Sequence, residues 1–210
     1  QKSGIEMKII FICTKSITFN SFLKSQADYF LKRGIEVEVA CSDIENLNFK
    51  NNFKHRIDFP AKNIDLLNFF KYLNIFTQKK KIIKKNPSAI FYLHTPVASH
   101  LFRIFNFFSK LKIIYFVHGF RFTSSTNFFK AFFFKIIEKI LSFSTNIFIT
   151  INNEDYKYTK KNLSKKALLY KIKGVGLDLS KKNKKKIKKK GIIKKILVIA
   201  AYKKKKDIWI

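Results

Sequence analysis

The chain has 210 residues, of which 47% are hydrophobic, and 44 Lys and Arg against 13 Asp and Glu give a formal net charge of +31. This apolar content excludes a largely disordered protein, and a chain of this length can bury a substantial core. Because the sequence has neither a run of about 18 uncharged apolar residues nor a signal-peptide layout, it predicts neither a membrane span nor secretion. We therefore expect a location in the cytoplasm.

The first half of the chain alternates between strand-like and helix-like patterns. Its predicted elements are a strand over 7–13, a helix over 19–33, a strand over 36–41, a weaker strand near 56–59 and a helix over about 65–85. Gly34 ends the first helix, and Pro87 limits the second because the residue before a proline avoids helical angles. The first three elements form a β-α-β unit.

The second half continues this alternation. Its predicted elements are a strand over 89–93, a helix with Val97, Leu101, Ile104, Phe105 and Phe108 on one face, a strand over 113–117, a helix over about 127–143, a strand over 146–151, a short helix over 153–163 and a strand over 168–172. Such regular alternation is typical of a parallel sheet with helices on both sides. We therefore predict an α/β fold with a doubly wound parallel sheet.

Polar side chains follow the strongest predicted strands, at the point where each strand ends. They are Thr14, Lys15 and Ser16 after the first strand, His94 and Thr95 after the strand over 89–93, His118, Gly119 and Arg121 after the strand over 113–117, and Asn152, Asn153 and Glu154 after the strand over 146–151. In open parallel sheets, ligands bind beyond the carboxyl ends of the strands. We expect these groups to converge along one rim, with His118 near its middle.

The helix predicted over 127–143 is apolar on most sides, with Lys130, Lys135 and Lys139 between its hydrophobic residues. Such a helix either is buried or lies in a membrane interface with its lysines reaching outward, and we expect burial as the commoner outcome. The net charge is explained most simply by solvated lysine faces. Attraction to anionic lipid headgroups or phosphate-bearing substrates comes next, and nucleic acid is the least favoured partner.

Several catalytic templates are missing from the sequence. There is no GxxxxGK[ST] loop for phosphates and no GxSxG nucleophile elbow. Cys13 and Cys41 lack CxxC spacing and are expected to be free, buried thiols. The 4 histidines lack metal-ligand spacing, so we expect no metal site and no cofactor.

The character of the sequence changes after residue 172. Residues 173–178 read KGVGLD, residues 180–195 are mostly lysine, and the apolar run ILVIAA at 196–201 begins a new strand. A charge run of this kind is typical of an exposed hinge. We therefore predict one domain over 7–178, a lysine-rich hinge over 179–195 and the first strand of a truncated second domain over 196–210.

Four segments, in this order and spacing, resemble the amino-terminal half of family 4 glycosyltransferases. They are HTPVASHL at 94–101, IIYFVHGFRF at 113–122, FKIIEKILSFSTNIFITINNEDY at 134–156 and KGVGLDLSK at 173–181. Within that family, the sequence is most similar to the branch that builds capsular and exopolysaccharide repeat units on a lipid carrier. The likeness covers about residues 7–182.

The resemblance implies a GT-B architecture, in which two Rossmann-like domains face each other across a cleft. The first domain would hold the acceptor and the second the nucleotide-sugar donor. A hexose would be transferred with retention of anomeric configuration and without a metal. Because the second domain is missing apart from its start, we expect the chain by itself to be unable to catalyse transfer.

The resemblance and the strand-end pattern together assign candidate residues. His118 matches the family's histidine at the reaction centre, Gly119 would let the backbone approach a ligand closely, and the planar guanidinium of Arg121 would pair with phosphate. The acceptor-binding candidates are Lys15, His94, Thr95, Gly119 and Arg121, and the donor-side candidates are Glu154, Gly174, Val175, Gly176 and Asp178. Lys15 stands in the segment TKSITFN, where many relatives carry a glycine pair, which leaves the role of this loop open.

The implied partners are a nucleotide-sugar donor bound through the second domain, a lipid-linked saccharide acceptor and the anionic inner face of the membrane, where the protein would be peripheral. Two alternatives stay open. One is a non-enzymatic basic module that binds a membrane or nucleic acid, and the other is an inactive, truncated gene product. For His118 the alternative is a core histidine, and for Glu154 and Asp155 it is a helix-start role, because acidic groups are favoured at amino-terminal turns.

Overall fold

The structure is a computed structural model that describes residues 7–50, 53–60, 69–104, 106, 111–122 and 126–176. The predicted hinge over 179–195, the predicted start of a second domain over 196–210 and the candidate Asp178 lie outside the described residues. The division of the chain at residue 178 therefore stays a prediction.

A 7-stranded sheet runs through the described part of the chain, in the order β3-β2-β1-β4-β5-β6-β7, and all neighbouring strands are parallel. The strands are β1 (Lys8–Ile12), β2 (Glu36–Cys41), β3 (Lys54–Arg56), β4 (Ile90–Leu93), β5 (Lys112–Val117), β6 (Ile147–Thr150) and β7 (Leu168–Lys171). The central strands are runs of β-branched and aromatic residues, which suits burial between two layers of helices.

Helices connect most of the successive strands. They are α1 (Ser16–Thr18), which continues through a π-helical turn (Phe19–Leu23) into α2 (Lys24–Lys32), then α3 (Phe69–Lys85), α4 (Pro96–Ile104), α5 (Phe128–Ser142) and α6 (Asn153–Asn162). A 3₁₀ turn (Ile44–Asn46) follows β2.

Two hydrophobic cores lie on opposite faces of the sheet, because successive residues of a strand point to opposite sides. On one face, Phe11 and Val39 pack with Phe19, Leu23 and Ala27 of the α1–α2 segment. The core of the other face contains residues of α3 and α4, with α5 and α6 packed against it. The predicted doubly wound parallel sheet is therefore confirmed.

The structure corrects two predicted boundaries and one predicted helix face. β3 lies at Lys54–Arg56, and not near 56–59, because it pairs only with the end of β2 and the amide of Asp58 instead bonds the side chain of Gln78. The first helix begins at Ser16, where Asp43 caps it, and not at residue 19. On α4, Val97 and Leu101 are buried as predicted, whereas Ile104 is exposed and Phe105 and Phe108 lie outside the described residues.

The expected burial of the helix over 127–143 is wrong for its most apolar side. In α5 the buried residues are Glu138, Leu141 and Ser142. Large apolar side chains on the other side are exposed, including Phe129 at 78% and Phe133 at 60%. The reason is a buried carboxylate, since Glu138 pairs with basic side chains of α4 and so fixes which side of α5 faces inward.

Candidate functional site

The carboxyl edge of the sheet has a crevice between β1 and β4. These strands are neighbours, but the segment after β1 packs on one face of the sheet and the helix after β4 packs on the other. Loops that leave neighbouring strands in this way open a ligand crevice at the carboxyl ends of the strands. The predicted rim residues therefore lie beside the part of this fold where ligands bind.

Thr14 and Thr95 join the two sides of this crevice. Their hydroxyl oxygens are 2.7 Å apart, and the backbone N–H of Thr14 donates to the Thr95 hydroxyl at 3.1 Å. Thr95 has a φ of 65°, the only positive φ of a non-glycine residue among those described. A β-branched residue adopts this conformation at a cost of about 1–3 kcal/mol. The hydrogen bonds to Thr14 hold the strained loop in place.

His94 and His118 form a pair at the centre of the edge. The Nδ1 atom of His94 is 3.1 Å from the Nε2 atom of His118. His94 is fully buried, and its ring stacks on Phe11 with centroids 5.6 Å apart and planes 4° apart. His118 is half-buried, with its ring 4.6 Å from that of Phe116. His118 is therefore the partly exposed member of the pair, and His94 is the enclosed one.

Burial favours the neutral form of both rings of this pair. Burial lowers the pKa of His94 well below its usual value, and the neighbouring His118 lowers it further. Burial also lowers the pKa of His118. One proton lies between Nδ1 of His94 and Nε2 of His118, since only one of the two atoms can donate. An uncharged imidazole at His118 suits hydrogen bonding to a hydroxyl group.

The burial of His94 makes the fold sensitive to acid. Below about pH 6.5 the unfolded chain protonates this histidine while the folded protein does not, so the unfolded state binds more protons and stability falls as the pH falls. We expect the free energy of unfolding to drop by about 1 kcal/mol more in the wild type than in His94→Gln between pH 7 and pH 5.5. Urea unfolding at both pH values measures this difference, and equal drops would contradict it.

A cavity of about 320 Å³ opens beside the histidines, on the face of the sheet that α2 covers. It is lined by Ser25, Gln26, Tyr29, Phe30, Tyr92, Phe116 and Ile172. The Tyr92 ring lies 4.3 Å from that of His94, and the Phe116 ring contacts that of His118. Aromatic walls with a few polar groups are typical of small-ligand sites. The cavity and the histidine pair together form the candidate site.

The first loop is closed by an internal carboxylate. Asp43 accepts hydrogen bonds from the backbone N–H of Ser16 at 2.7 Å and from its hydroxyl at 3.0 Å. The positive end of the helical segment after β1 is therefore already neutralised, and a ligand phosphate would meet the Asp43 carboxylate there. Sequence analysis missed Asp43, although it follows β2 just as the predicted rim residues follow their strands. Lys15 lies half-buried beside it, and its acceptor-binding role stays a prediction.

Comparison with known proteins identifies the family. A family model described as glycosyl transferase 4-like matches residues 8–152. The chain belongs to this family. The resemblance seen in the sequence is thereby confirmed.

One curated relative covers most of the chain. The Bacillus subtilis (strain 168) protein named "Putative glycosyltransferase EpsD" is 30% identical over 174 residues, which are 81% of this chain and 44% of that protein. The chain therefore spans less than half the length of this relative.

Solved structures share the fold of this glycosyl transferase 4-like chain. A sucrose-phosphate synthase from Thermosynechococcus elongatus matches with a TM-score of 0.55 at 11% identity, covering 79% of this chain and 88% of that one. A UDP-N-acetylglucosamine 2-epimerase from Rickettsia bellii matches with a TM-score of 0.55 at 15% identity, covering 79% and 44%. These matches support the Rossmann-like architecture of GT-B proteins that the resemblance implied.

Gly119 and Arg121, two residues that the resemblance singled out, follow β5 in different roles. Gly119 has a φ of 135°, and a Cβ atom there would meet no protein atom within 4 Å. Glycine is thus required by the backbone conformation rather than by lack of space in the protein. The guanidinium of Arg121 lies 5.0 Å from the centroid of the Phe134 ring of α5. Arg121 is therefore directed at α5, and its predicted contact with phosphate stays a prediction.

Of the two acidic residues at the start of α6, Asp155 is buried and Glu154 is exposed. The side chain of Asn152 accepts from the backbone N–H of Asp155 at 2.7 Å and donates to its carboxylate at 2.6 Å. Burial raises the pKa of Asp155. The helix-start role is confirmed for Asp155. Glu154 is exposed in the same turn, and its donor-side role stays a prediction.

The loop after β7 returns to the candidate site. Gly174 and Gly176 have φ values of 130° and 78°, which favour glycine. Between them, Val175 packs against the core that contains Tyr92 and Phe116, the residues of the cavity floor. The donor-side role of Gly174, Val175 and Gly176 stays a prediction.

Three further features complete the description of this part of the chain. Within the described ranges, no group of three or more His, Cys, Asp or Glu side chains could hold a metal ion. In the same residues, no helix combines the length and the apolar character needed to cross a membrane. Cys13 and Cys41 are free and buried, as predicted.

Proposed function

We propose that this chain is the acceptor-binding part of a glycosyltransferase that transfers a hexose from a nucleotide sugar to a lipid-linked saccharide. The product would be a precursor of a cell-surface polysaccharide, made at the inner face of the membrane. The observation that carries the proposal is the His94–His118 pair beside an aromatic cavity, at the carboxyl edge of a glycosyl transferase 4-like domain.

The cavity suits a saccharide acceptor. The apolar faces of sugar rings stack on aromatic side chains, and Tyr29, which is 52% exposed, provides such a surface among the residues that line the cavity. The neutral imidazole of His118 can accept a hydrogen bond from a sugar hydroxyl or donate one to it. These groups support binding of a saccharide at this edge of the sheet.

The donor diphosphate would bind elsewhere. Asp43 neutralises the start of the helical segment after β1, where many Rossmann-like domains hold a phosphate, so this chain offers the acceptor side of the reaction. The donor would approach from a second domain, along the loop with Gly174 and Gly176. This arrangement is part of the proposal, as are retention of anomeric configuration and reaction without a metal.

Hexose transfer by such an enzyme has two requirements. The acceptor hydroxyl must be positioned against the anomeric carbon, and the charge that develops on the departing diphosphate must be stabilised. A new bond forms between the acceptor oxygen and the anomeric carbon while the bond to the diphosphate oxygen breaks. The acceptor proton leaves with the nucleoside diphosphate. His118 would serve the first requirement by fixing the direction of the hydroxyl.

The proposal is tested with a short-chain polyprenyl diphosphate that carries a saccharide. The chain should bind it saturably and more tightly than the same polyprenyl diphosphate without sugar. With the chain joined to a donor-binding second domain and a panel of nucleotide hexoses, mass spectrometry should detect an acceptor extended by one hexose. Equal affinity for the sugar-free lipid would contradict the proposal, and so would preferential binding of nucleic acid whose affinity falls steeply with salt.

A further inference from the structure

Helix α5 has its polar side turned inward. The Glu138 carboxylate lies 2.7 Å from Nε2 of His100 and 2.8 Å from a guanidinium nitrogen of Arg103, and all three side chains are at most 2% exposed. The Arg103 guanidinium also lies 4.2 Å from the centroid of the Tyr115 ring. Rotating α5 about its axis would leave buried charges without partners. The buried cluster therefore fixes which side of α5 faces outward.

The outward side of α5 and of the residue that follows it is a continuous apolar surface, which we term the α5 apolar face. It consists of Phe129, Phe132, Phe133, Ile136, Ile140 and Phe143, all exposed. At 3.6 residues per turn these residues lie opposite Glu138 and Leu141 on the helix. Phe129 is 78% and Phe143 66% exposed, so the surface extends along the whole length of the helix. Large contiguous apolar surfaces of this kind mark interaction sites.

Lysines border this apolar face on both sides. By helical spacing, Lys135 and Lys139 lie along one edge and Lys130 along the other, and all three are exposed. The helix has one acidic residue, Glu138, and it is buried. The exposed surface of α5 is thus apolar in the middle and cationic at its margins, with no exposed carboxylate.

We propose that the α5 apolar face binds an anionic lipid bilayer, with the phenylalanines in the interface and the lysines at the headgroups. An interfacial helix of this type is held by apolar burial and by attraction to anionic lipids. The lysine stems can lie along the apolar surface while their ammonium groups reach phosphate. This proposal extends the proposed function. It rests on that function only for the purpose of membrane binding, which is to hold the enzyme beside a lipid-linked acceptor.

The positive charge around the α5 apolar face favours a bilayer over a second copy of the chain as its binding partner. A dimer through the α5 apolar face would bring the lysines of both copies together, with no exposed carboxylate on either helix to offset them. The formal net charge of +31 adds to this repulsion. Anionic headgroups, in contrast, are attracted by the same lysines, each by about 1 kcal/mol near the membrane surface.

The position of α5 brings the bilayer close to the candidate site. Because β5 and β6 are parallel, α5 runs back from the carboxyl edge of the sheet to its amino edge. Its first turns, with Phe128 and Phe129, therefore lie toward the same edge of the sheet as His118. Binding through this face would place that edge near the plane where a lipid-linked saccharide presents its sugar.

The proposal is tested by flotation of the chain with vesicles of phosphatidylcholine, with and without phosphatidylglycerol. The vesicles carry no saccharide, so the result does not depend on hexose transfer. We expect binding to the anionic vesicles and a loss of about tenfold in affinity for each of Phe129→Gln and Phe133→Gln, because each removes an apolar side chain from the interface. Phe22→Gln, at an exposed phenylalanine on the opposite face of the sheet, is the matched control and should bind as the wild type does.

A pair of charge variants and a fluorescent probe complete this test. Lys135→Glu/Lys139→Glu should weaken binding far more than Lys84→Glu/Lys85→Glu, which makes the same change of net charge on α3. With Trp209 replaced by phenylalanine, Phe129→Trp should be quenched by brominated lipids. Unchanged binding in Phe129→Gln/Phe133→Gln, or no binding to anionic vesicles, would overturn the proposal. Sedimentation could instead show that the wild type forms dimers and that these phenylalanine variants are monomers. That result would overturn the proposal in favour of a second copy of the chain.

Discussion

Glu138→Gln should lower the free energy of unfolding by about 3–5 kcal/mol, because it leaves the guanidinium of Arg103 buried without a carboxylate. Burial alone would raise the pKa of Glu138, but Arg103 and the hydrogen bond with His100 outweigh it and hold the pKa at about 2. The carboxylate is therefore ionised at every pH at which the protein is handled. Urea unfolding at pH 7, with the slope checked for two-state behaviour, measures the loss.

The control for this variant is Glu154→Gln, which makes the same chemical change at an exposed position of α6. It should change stability by no more than about 0.5 kcal/mol. The double variant Glu138→Leu/Arg103→Met should be more stable than Glu138→Gln, because it removes both charges at once. A loss below about 1 kcal/mol in Glu138→Gln would show that the buried cluster does not hold α5 in its orientation.

In an enzyme that joins this chain to a donor-binding second domain, His118→Ala should lower kcat/KM for hexose transfer by about 10²–10³-fold, the range found when one positioned hydrogen-bonding or proton-transferring group is removed. The half-buried ring contributes little to the core, so stability should change far less than in Glu138→Gln. The reaction with the polyprenyl-linked acceptor and the nucleotide hexose gives the rate. Urea unfolding of the same preparation shows that the fold is intact.

Two conservative variants separate the roles of the two ring nitrogens. The side-chain amide of asparagine can take the place of Nδ1, and that of glutamine the place of Nε2, which contacts His94. If His118 orients the acceptor through Nδ1, His118→Asn should recover part of the lost rate, whereas His118→Gln should keep only the link to His94. Rates within about threefold of the wild type in His118→Ala would contradict a role at the reaction centre.

Local signals in the sequence were enough for most of the fold. The hydrophobic runs of β4, β5 and β6 predict buried strands. Gly34 marks a helix end because glycine readily adopts a positive φ, and Pro87 marks one because it restricts the residue before it. β3 was misplaced because its extent depends on pairing with β2, a contact between segments distant along the chain. The same reason explains the early start of α1, which depends on Asp43.

The orientation of α5 shows most clearly what the sequence alone does not determine. The sequence over 127–143 is apolar on most sides, so its pattern leaves the buried side undetermined. Glu138 determines which side of α5 is buried. Its effect depends on His100 and Arg103, which lie on another helix. A single buried ion cluster therefore outweighs several phenylalanines, since uncompensated buried charge costs more than exposed apolar surface.

The candidate site could be predicted in part. His94, Thr95 and His118 were expected at one edge because each follows a buried strand. Their direct contacts follow from the register of β4 and β5, in which Leu93 pairs with Tyr115, and a sequence does not give that register. The cavity depends on side chains of α2 and on Ile172, which no motif marks.

The most direct test of the account follows the imidazole resonances of the chain labelled with ¹⁵N-histidine during titration with the polyprenyl-linked saccharide. Its 4 histidines give separate signals, and two of them are internal controls: His55 bonds Glu38 on β2, and His100 is buried against Glu138. We predict saturable shifts at His118, smaller ones at its neighbour His94, and none at His55 or His100. Saturable binding of the acceptor that leaves the His118 resonances unchanged would contradict the account.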